Sequence, residues 1–383
     1  MNLGNKIYDY FHPIIYLLQE DKKKIPFIYF LILIVSLLDI IGIGLVGPIV
    51  GFVLTDGQSN SEITNTFSYL NILDIDRSKN LFLILSIGLV VAFFLKMIIG
   101  LYSAYIMQKF SYYRATSIVR TLTESALSAP YIEHIDKNNS EIISNIERYS
   151  YIYGSLMYQL LRTLSDTTVI IFLSVFMFFS APILTATIFV TLTILGTLYI
   201  LFFRKRISTY GEKSVEAVQK LIKLIIEAMN GFQQIKNLSI EKYVRDNITK
   251  SSKELSDSYI IQTVISSWPR LFFEFFLITM IVLIIQILIT QNVDFLKIAP
   301  ILVMFMYLAA RIIPLFTNLM QLTFMFNFHM PAIKILFKGV KYARNFDDDL
   351  NSIDLPPFEN ISFSNVSFSY DEKISNSILS KIN

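Results

Sequence analysis

The sequence predicts an all-α membrane protein in which six long transmembrane helices extend into the cytoplasm, followed by the β start of a second domain. Three observations carry this. Of 383 residues 54% are hydrophobic and only 16% charged, with a mean hydropathy of +0.54, whereas soluble domains carry about one quarter charged residues. Six stretches reach the roughly 20 apolar residues that a bilayer core demands of a helix. The basic residues also segregate to one side of those stretches.

The same composition excludes several classes. A net charge of +3 gives no electrostatic basis for nucleic acid as a partner. Cysteine is absent, which removes disulfide frameworks, thiolate metal sites and cysteine nucleophiles. The three histidines, His12, His134 and His329, are scattered, which argues against a histidine-built metal centre.

Residues 1–24 come first. Positions 7–18 alternate Ile, Tyr, Phe and Leu with polar residues, the pattern of a helix lying in the cytoplasmic interface; the alternative is a frayed polar terminus. The apolar run after Lys22, Lys23 and Lys24 is too long for a signal peptide and has no small-residue cleavage site.

The spans follow at 25–54 with Asp39, 80–108 with Lys96, 150–181 with Arg162 and Asp166, 182–203 without charge, 268–290 with Arg270 and Glu274, and 296–333 with Lys297 and Arg311. Ser180, Ala181 and Pro182 leave room only for a tight turn. With the N-terminus inside, 26 basic residues fall on the cytoplasmic side and three (Arg77, Lys79 and Lys297) outside, which satisfies the positive-inside rule. Both termini are then cytoplasmic.

Two cytoplasmic connections, 109–149 and 204–267, are too long for simple loops. KFSYYRATSIVRTLTESALS (109–128) and EKSVEAVQKLIKLIIEAM (212–229) keep apolar residues at helical spacing. The spans therefore continue into the cytoplasm, turn at Ala129-Pro130 and Asn230-Gly231, and leave short tips at Tyr131–Asn139 and Phe232–Ile240. On the outer side, Glu62–Ile72 reads as a short surface helix. Residues 345–360 are acidic with Pro356-Pro357, a linker. ISFSNVSFSY (361–370) alternates as a strand does, and one strand is not stable alone, so the chain is expected to enter a soluble domain.

This arrangement resembles the membrane half of an ATP-binding cassette (ABC) exporter of the type I transmembrane fold, and the resemblance spans essentially the whole chain. It implies an interfacial elbow helix at 1–24, a six-helix domain at 25–344, a linker at 345–360 and the beginning of a nucleotide-binding domain at 361–383. It implies that 131–139 and 232–240 are coupling helices seated on nucleotide-binding domains, and that two copies pair as a homodimer. In VSFSY (366–370) the resemblance assigns Tyr370 to the adenine ring, and Ser377–Asn383 is similar to the strand before the phosphate loop.

No G-x-x-x-x-G-K-[ST] follows. The Walker A, signature and Walker B motifs are thus missing, and ATP with Mg2+ is expected to be bound in full only by a longer protein acting as an ATP-hydrolysing translocase. LLDIIGIGLVGPIVGFV (37–53), SSWPRLFFEFF (266–276) and YLAARIIPLFTNLMQ (307–321) are similar to bacterial flippases of lipid-linked oligosaccharides. That likeness implies such a substrate and a bacterial inner membrane.

Charge inside a membrane is costly and usually faces a partner or a wet cavity. Counted from the outer helix ends at about 1.5 Å per residue, Asp39, Lys96, Arg270, Glu274 and Arg311 lie roughly 22–30 Å down, in one shared layer. Lys96, Arg270 and Arg311, with Asp39 and Glu274, are the candidate substrate-cavity residues. Arginine forks suit phosphate oxygens, and the flippase likeness assigns the three basic positions to an anionic headgroup.

Pairing is the alternative. Arg270 with Glu274 and Arg162 with Asp166 are four residues apart on one helix, and Asp39 is within reach of Lys96 across helices. Gly42, Gly44, Gly47 and Gly51, near Pro48, are expected to permit close helix packing, and Pro314 to kink the sixth span. Asp347, Asp348 and Asp349 read as solvated linker rather than a cation site.

Competing functions are an exporter of peptide, lipid or hydrophobic small molecules, and a non-catalytic membrane module. A membrane transferase needs paired carboxylates at the span rims, and no D-x-x-x-D stands there.

Overall fold

A computed structural model describes residues 12–18, 22–54, 79–129, 139–180, 182–290, 295–344, 360–368 and 379–383. The elements in order are a short helix α1 over residues 12–17, α2 Ile25–Leu54 and α3 Lys79–Ser128. Next, Asn139–Ile143, the π-helical turn Ser144–Tyr149 and Ser150–Ser180 run on as one helix, α4. Then come α5 Pro182–Asn230, α6 Phe232–Leu238, α7 Glu241–Thr290 and α8 Phe295–Arg344. Two strands close the chain, β1 Val366–Phe368 and β2 Leu379–Ile382.

The six long helices are α2, α3, α4, α5, α7 and α8. Among the described residues, Lys22–Gly42, Leu85–Ser128 and Thr185–Asn230 are long and apolar enough, by length and composition alone, to cross a membrane. The spans continue without a break into the cytoplasmic connections, because the amphipathic segments 109–128 and 212–229 supply unbroken helical spacing.

The packing changes character along the helices. Within the bilayer, lipid tails are as apolar as leucine, so association rests on shape and polar contacts. Leu173, Phe273, Ile312 and Phe324 interlock there among α4, α7 and α8. Hydroxyls are spent inside the helices, Ser36 donating to the Ile32 carbonyl at 2.8 Å and Ser174 to that of Ile170 at 2.6 Å, since hydrocarbon offers them no water. Beyond the apolar spans a second cluster buries Leu17, Tyr153, Leu156, Ile333 and Leu336, where burial from water supplies the driving force.

α1 is fastened to this second cluster. Arg114 donates from Nε to the Leu17 carbonyl at 2.6 Å, and the Tyr153 hydroxyl donates to that of Ile14 at 3.2 Å. Tyr16 packs edge-on against Phe337, centroids 5.1 Å apart. A helix is thereby observed over 12–17; residues 1–11 lie outside the described set.

At the C-terminus the ten-residue strand expected over 361–370 is shorter. Among the described residues, 361–364 are not in a strand, and Val366–Phe368 pair antiparallel to Leu379–Ile382 with an irregular register; 369–370 lie outside the described residues. Asn365 takes φ 53°, a left-handed conformation that ends a strand, and its amide donates to the Asn383 side chain at 2.6 Å. Tyr370, the tip 131–138, the outer stretch 62–72 and residues 347–349 lie outside the described residues.

Candidate functional site

The sixth span, α8, organises the intramembrane charges. Arg311 and Asn318 stand seven residues apart and so share one face, about 10.5 Å along the axis. Arg311 meets the first span: its Nη2 donates to Asp39 Oδ2 at 2.9 Å and Oδ1 at 3.2 Å. Asn318 meets the third, its Nδ2 donating to Asp166 Oδ2 at 2.8 Å.

Lys96 of the second span completes the group by an ion pair to the same Asp39 oxygen, Oδ1. Its ammonium also lies 5.3 Å from the centroid of the Phe93 ring, one turn earlier. Phe93 fits because Gly42, three residues after Asp39, has no side chain; a Cβ there would stand 2.8 Å from that ring. The two helices thus approach beside the pair.

Three spans therefore converge on one carboxylate. Asp39 is buried at 2% exposure, while the Arg311 side chain keeps 38%. Two cations on one anion leave one positive charge in excess. A guanidinium has five donors; Nη2 serves Asp39, and Nε has no acceptor among the described residues.

Arg270 and Glu274 sit apart from this group as a same-helix pair, Nε to Oε1 2.8 Å, with the arginine 69% exposed. Asp166, expected to pair with Arg162 one turn away, takes its hydrogen bond from Asn318 on another helix instead. Neither Asn318 nor the reach of Arg311 to Asp39 was anticipated from sequence. The signal for Asn318 is its spacing from Arg311; the partner helix has none.

A second irregularity is compensated in α7. Pro269 lies inside the helix and has no N–H for the carbonyl four residues before it. That carbonyl, of Ile265, accepts the Tyr199 hydroxyl at 2.8 Å. α8 runs through Pro314 as one helix, and the Pro314 carbonyl accepts the Thr317 hydroxyl at 2.8 Å.

On the cytoplasmic side, α5 and α7 reach the tip α6. Gly231 precedes α6, and Ser239 ends it in a left-handed conformation, φ 51°. Lys236 then reaches Glu241 at the start of α7, Nζ to Oε1 3.0 Å. The Glu241 carboxyl is held below its usual range by its own backbone amide and by Lys236. Phe232 and Leu238 on this tip are 58% and 67% exposed.

The sequence contains no G-x-x-x-x-G-K-[ST] phosphate loop. Long helices that run on beyond their apolar spans, a short helix joining two of them at Phe232–Leu238, and residues 25–321 matching the family model described as the ABC transporter transmembrane region all agree, and the chain belongs to that family of membrane transporters.

Proposed function

We propose that this chain forms the translocation pathway of an ATP-driven exporter, a half-transporter that pairs with a second copy of itself and moves an amphipathic anionic substrate by alternating access. A lipid-linked oligosaccharide is the substrate class that fits best. The observation behind this reading is the Asp39, Lys96 and Arg311 group, two cations on one carboxylate, with the Arg311 side chain left 38% exposed. Bidentate contacts make arginine well suited to a phosphate-bearing headgroup.

The exposed tip 232–240, together with 131–139, would receive nucleotide-binding domains that supply ATP and Mg2+ chemistry. The setting is a bacterial inner membrane with both termini in the cytoplasm.

The test is a flipping assay in proteoliposomes. Neutralising Lys96, Arg270 and Arg311 to Gln, with Asp39→Asn to avoid a stranded buried acid, should abolish movement of a pyrophosphate-linked lipid while ATP turnover persists. Unchanged flipping overturns the proposal. Equal transport of a neutral lipid by the unaltered protein would favour an exporter of lipid or hydrophobic small molecules instead.

A further inference from the structure

α5 and α7 pack side by side, and between them an open groove of about 780 Å³ runs along the outside of the pair. Its walls are Leu198, Tyr199 and Phe202 from α5, and Trp268, Leu271 and Phe275 from α7. These side chains are not collapsed onto one another: Phe202 is 79% exposed and Phe275 65%. Phe203 braces the wall from behind, 4.6 Å from Tyr199 and 6.2 Å from Trp268 between ring centroids. The Tyr199 hydroxyl is spent on the Ile265 carbonyl, so that ring presents its apolar surface to the groove.

The depth of the groove follows from its ends. The apolar run of the fourth span stops at Phe203 and is followed at once by Arg204, Lys205 and Arg206. On α7 the fifth span begins at Trp268, and tryptophan favours the headgroup level. The groove therefore opens to the cytoplasmic leaflet, with cations at its lower rim. Lys205 and Arg206 are exposed, and Arg206 stands one turn below Phe202 on the same face.

We propose that this groove is a binding site for an anionic phospholipid of the cytoplasmic leaflet, one acyl chain lying along the aromatic wall and the phosphate resting against Lys205 and Arg206. An apolar trough within the size range of ligand sites takes a hydrocarbon chain, and basic residues at the membrane surface attract anionic headgroups. A second copy of the chain seated there would cover this cationic rim and would have to bring acids of its own. A phospholipid carries its negative charge at that depth already. The site is distinct from the Asp39 group and does not depend on the substrate proposed above.

Trp268 is the single tryptophan of these 383 residues, which makes it a reporter. The 383-residue chain is reconstituted in vesicles of fixed phosphatidylglycerol and phosphatidylcholine content, with bromine placed on the acyl chains of one lipid or the other. Brominated phosphatidylglycerol should quench Trp268 at a severalfold lower mole fraction than brominated phosphatidylcholine, and Lys205→Gln with Arg206→Gln should erase the difference. Equal quenching by both lipids would mean ordinary annular contact and overturn the site. Absence of quenching by either would mean that protein covers the groove, as in a second-copy interface, and would overturn it as well. A preference that survives the double substitution would remove the headgroup from this rim. None of these readouts involves transport, so they stand or fall apart from the flipping assay.

Discussion

Arg311 of the sixth span and Asp39 of the first are joined by two hydrogen bonds through one nitrogen, at 2.9 and 3.2 Å. The carboxylate they share with Lys96 is the only acid in contact with either base among the described residues. Asp39→Asn would leave two cations facing each other across three helices. Removing one partner of a buried pair costs about 3–5 kcal/mol, so a clear drop in melting temperature of the purified protein is expected. Restoring the original net charge of the group with Lys96→Met in the same chain should recover part of that loss, and a melting temperature unchanged by Asp39→Asn would show that the group carries no structural weight.

Tyr199 supplies the hydrogen bond that Pro269 withholds from Ile265. Tyr199→Phe keeps the ring and strands that carbonyl, and an unsatisfied buried acceptor costs about 1–3 kcal/mol. The double change Tyr199→Phe with Pro269→Ala returns an amide to the helix. It should be closer to wild type in thermal stability than Tyr199→Phe alone.

Gly211 brings α5 against α8 on the cytoplasmic side. A Cβ there would collide with the Phe328 carbonyl oxygen, an approach that backbone cannot relieve by a rotamer change. Gly211→Ala should cost at least the 1–3 kcal/mol typical of overpacking, read as a lowered melting temperature in detergent. An unchanged value would mean that the two helices separate easily.

The docking of α1 depends on Arg114. Arg114→Leu removes the donor to the Leu17 carbonyl, and hydrogen–deuterium exchange over residues 12–18 should speed up by about tenfold or more, as expected for a lost charge-assisted bond of 1.5–3 kcal/mol. Exchange elsewhere on α3 should hold steady; a uniform acceleration would mean global loosening instead.

The Lys236–Glu241 contact sets a pH limit for the cytoplasmic tip. Because the Glu241 carboxyl is held below its ordinary 4.5, its contribution is fully present above that value. It fades as pH falls through the lower, folded-state value. Amide exchange at residues 236–241 should therefore show no pH step between 7 and about 5 beyond the intrinsic one, and Glu241→Gln should loosen the same amides at neutral pH.

The sequence by itself determined the helical membrane character and the long helical excursions beyond the spans, because apolar length and helical spacing are properties of local residue order. It also placed Asp39, Lys96, Arg270, Glu274 and Arg311 in one layer, since depth follows from counting along a helix. Partners were another matter. Arg270 and Glu274 could be matched along one helix, but rotation and packing decided that Arg311 turns to Asp39 across 272 positions and that Asp166 turns to Asn318. The shortening of the expected strand at Asn365, the π turn at Ser144–Tyr149 and the repair of Pro269 by Tyr199 likewise depend on what lies opposite each backbone group. Only the tertiary structure supplies that, because a hydrogen bond between helices is a statement about two surfaces and a linear pattern describes one.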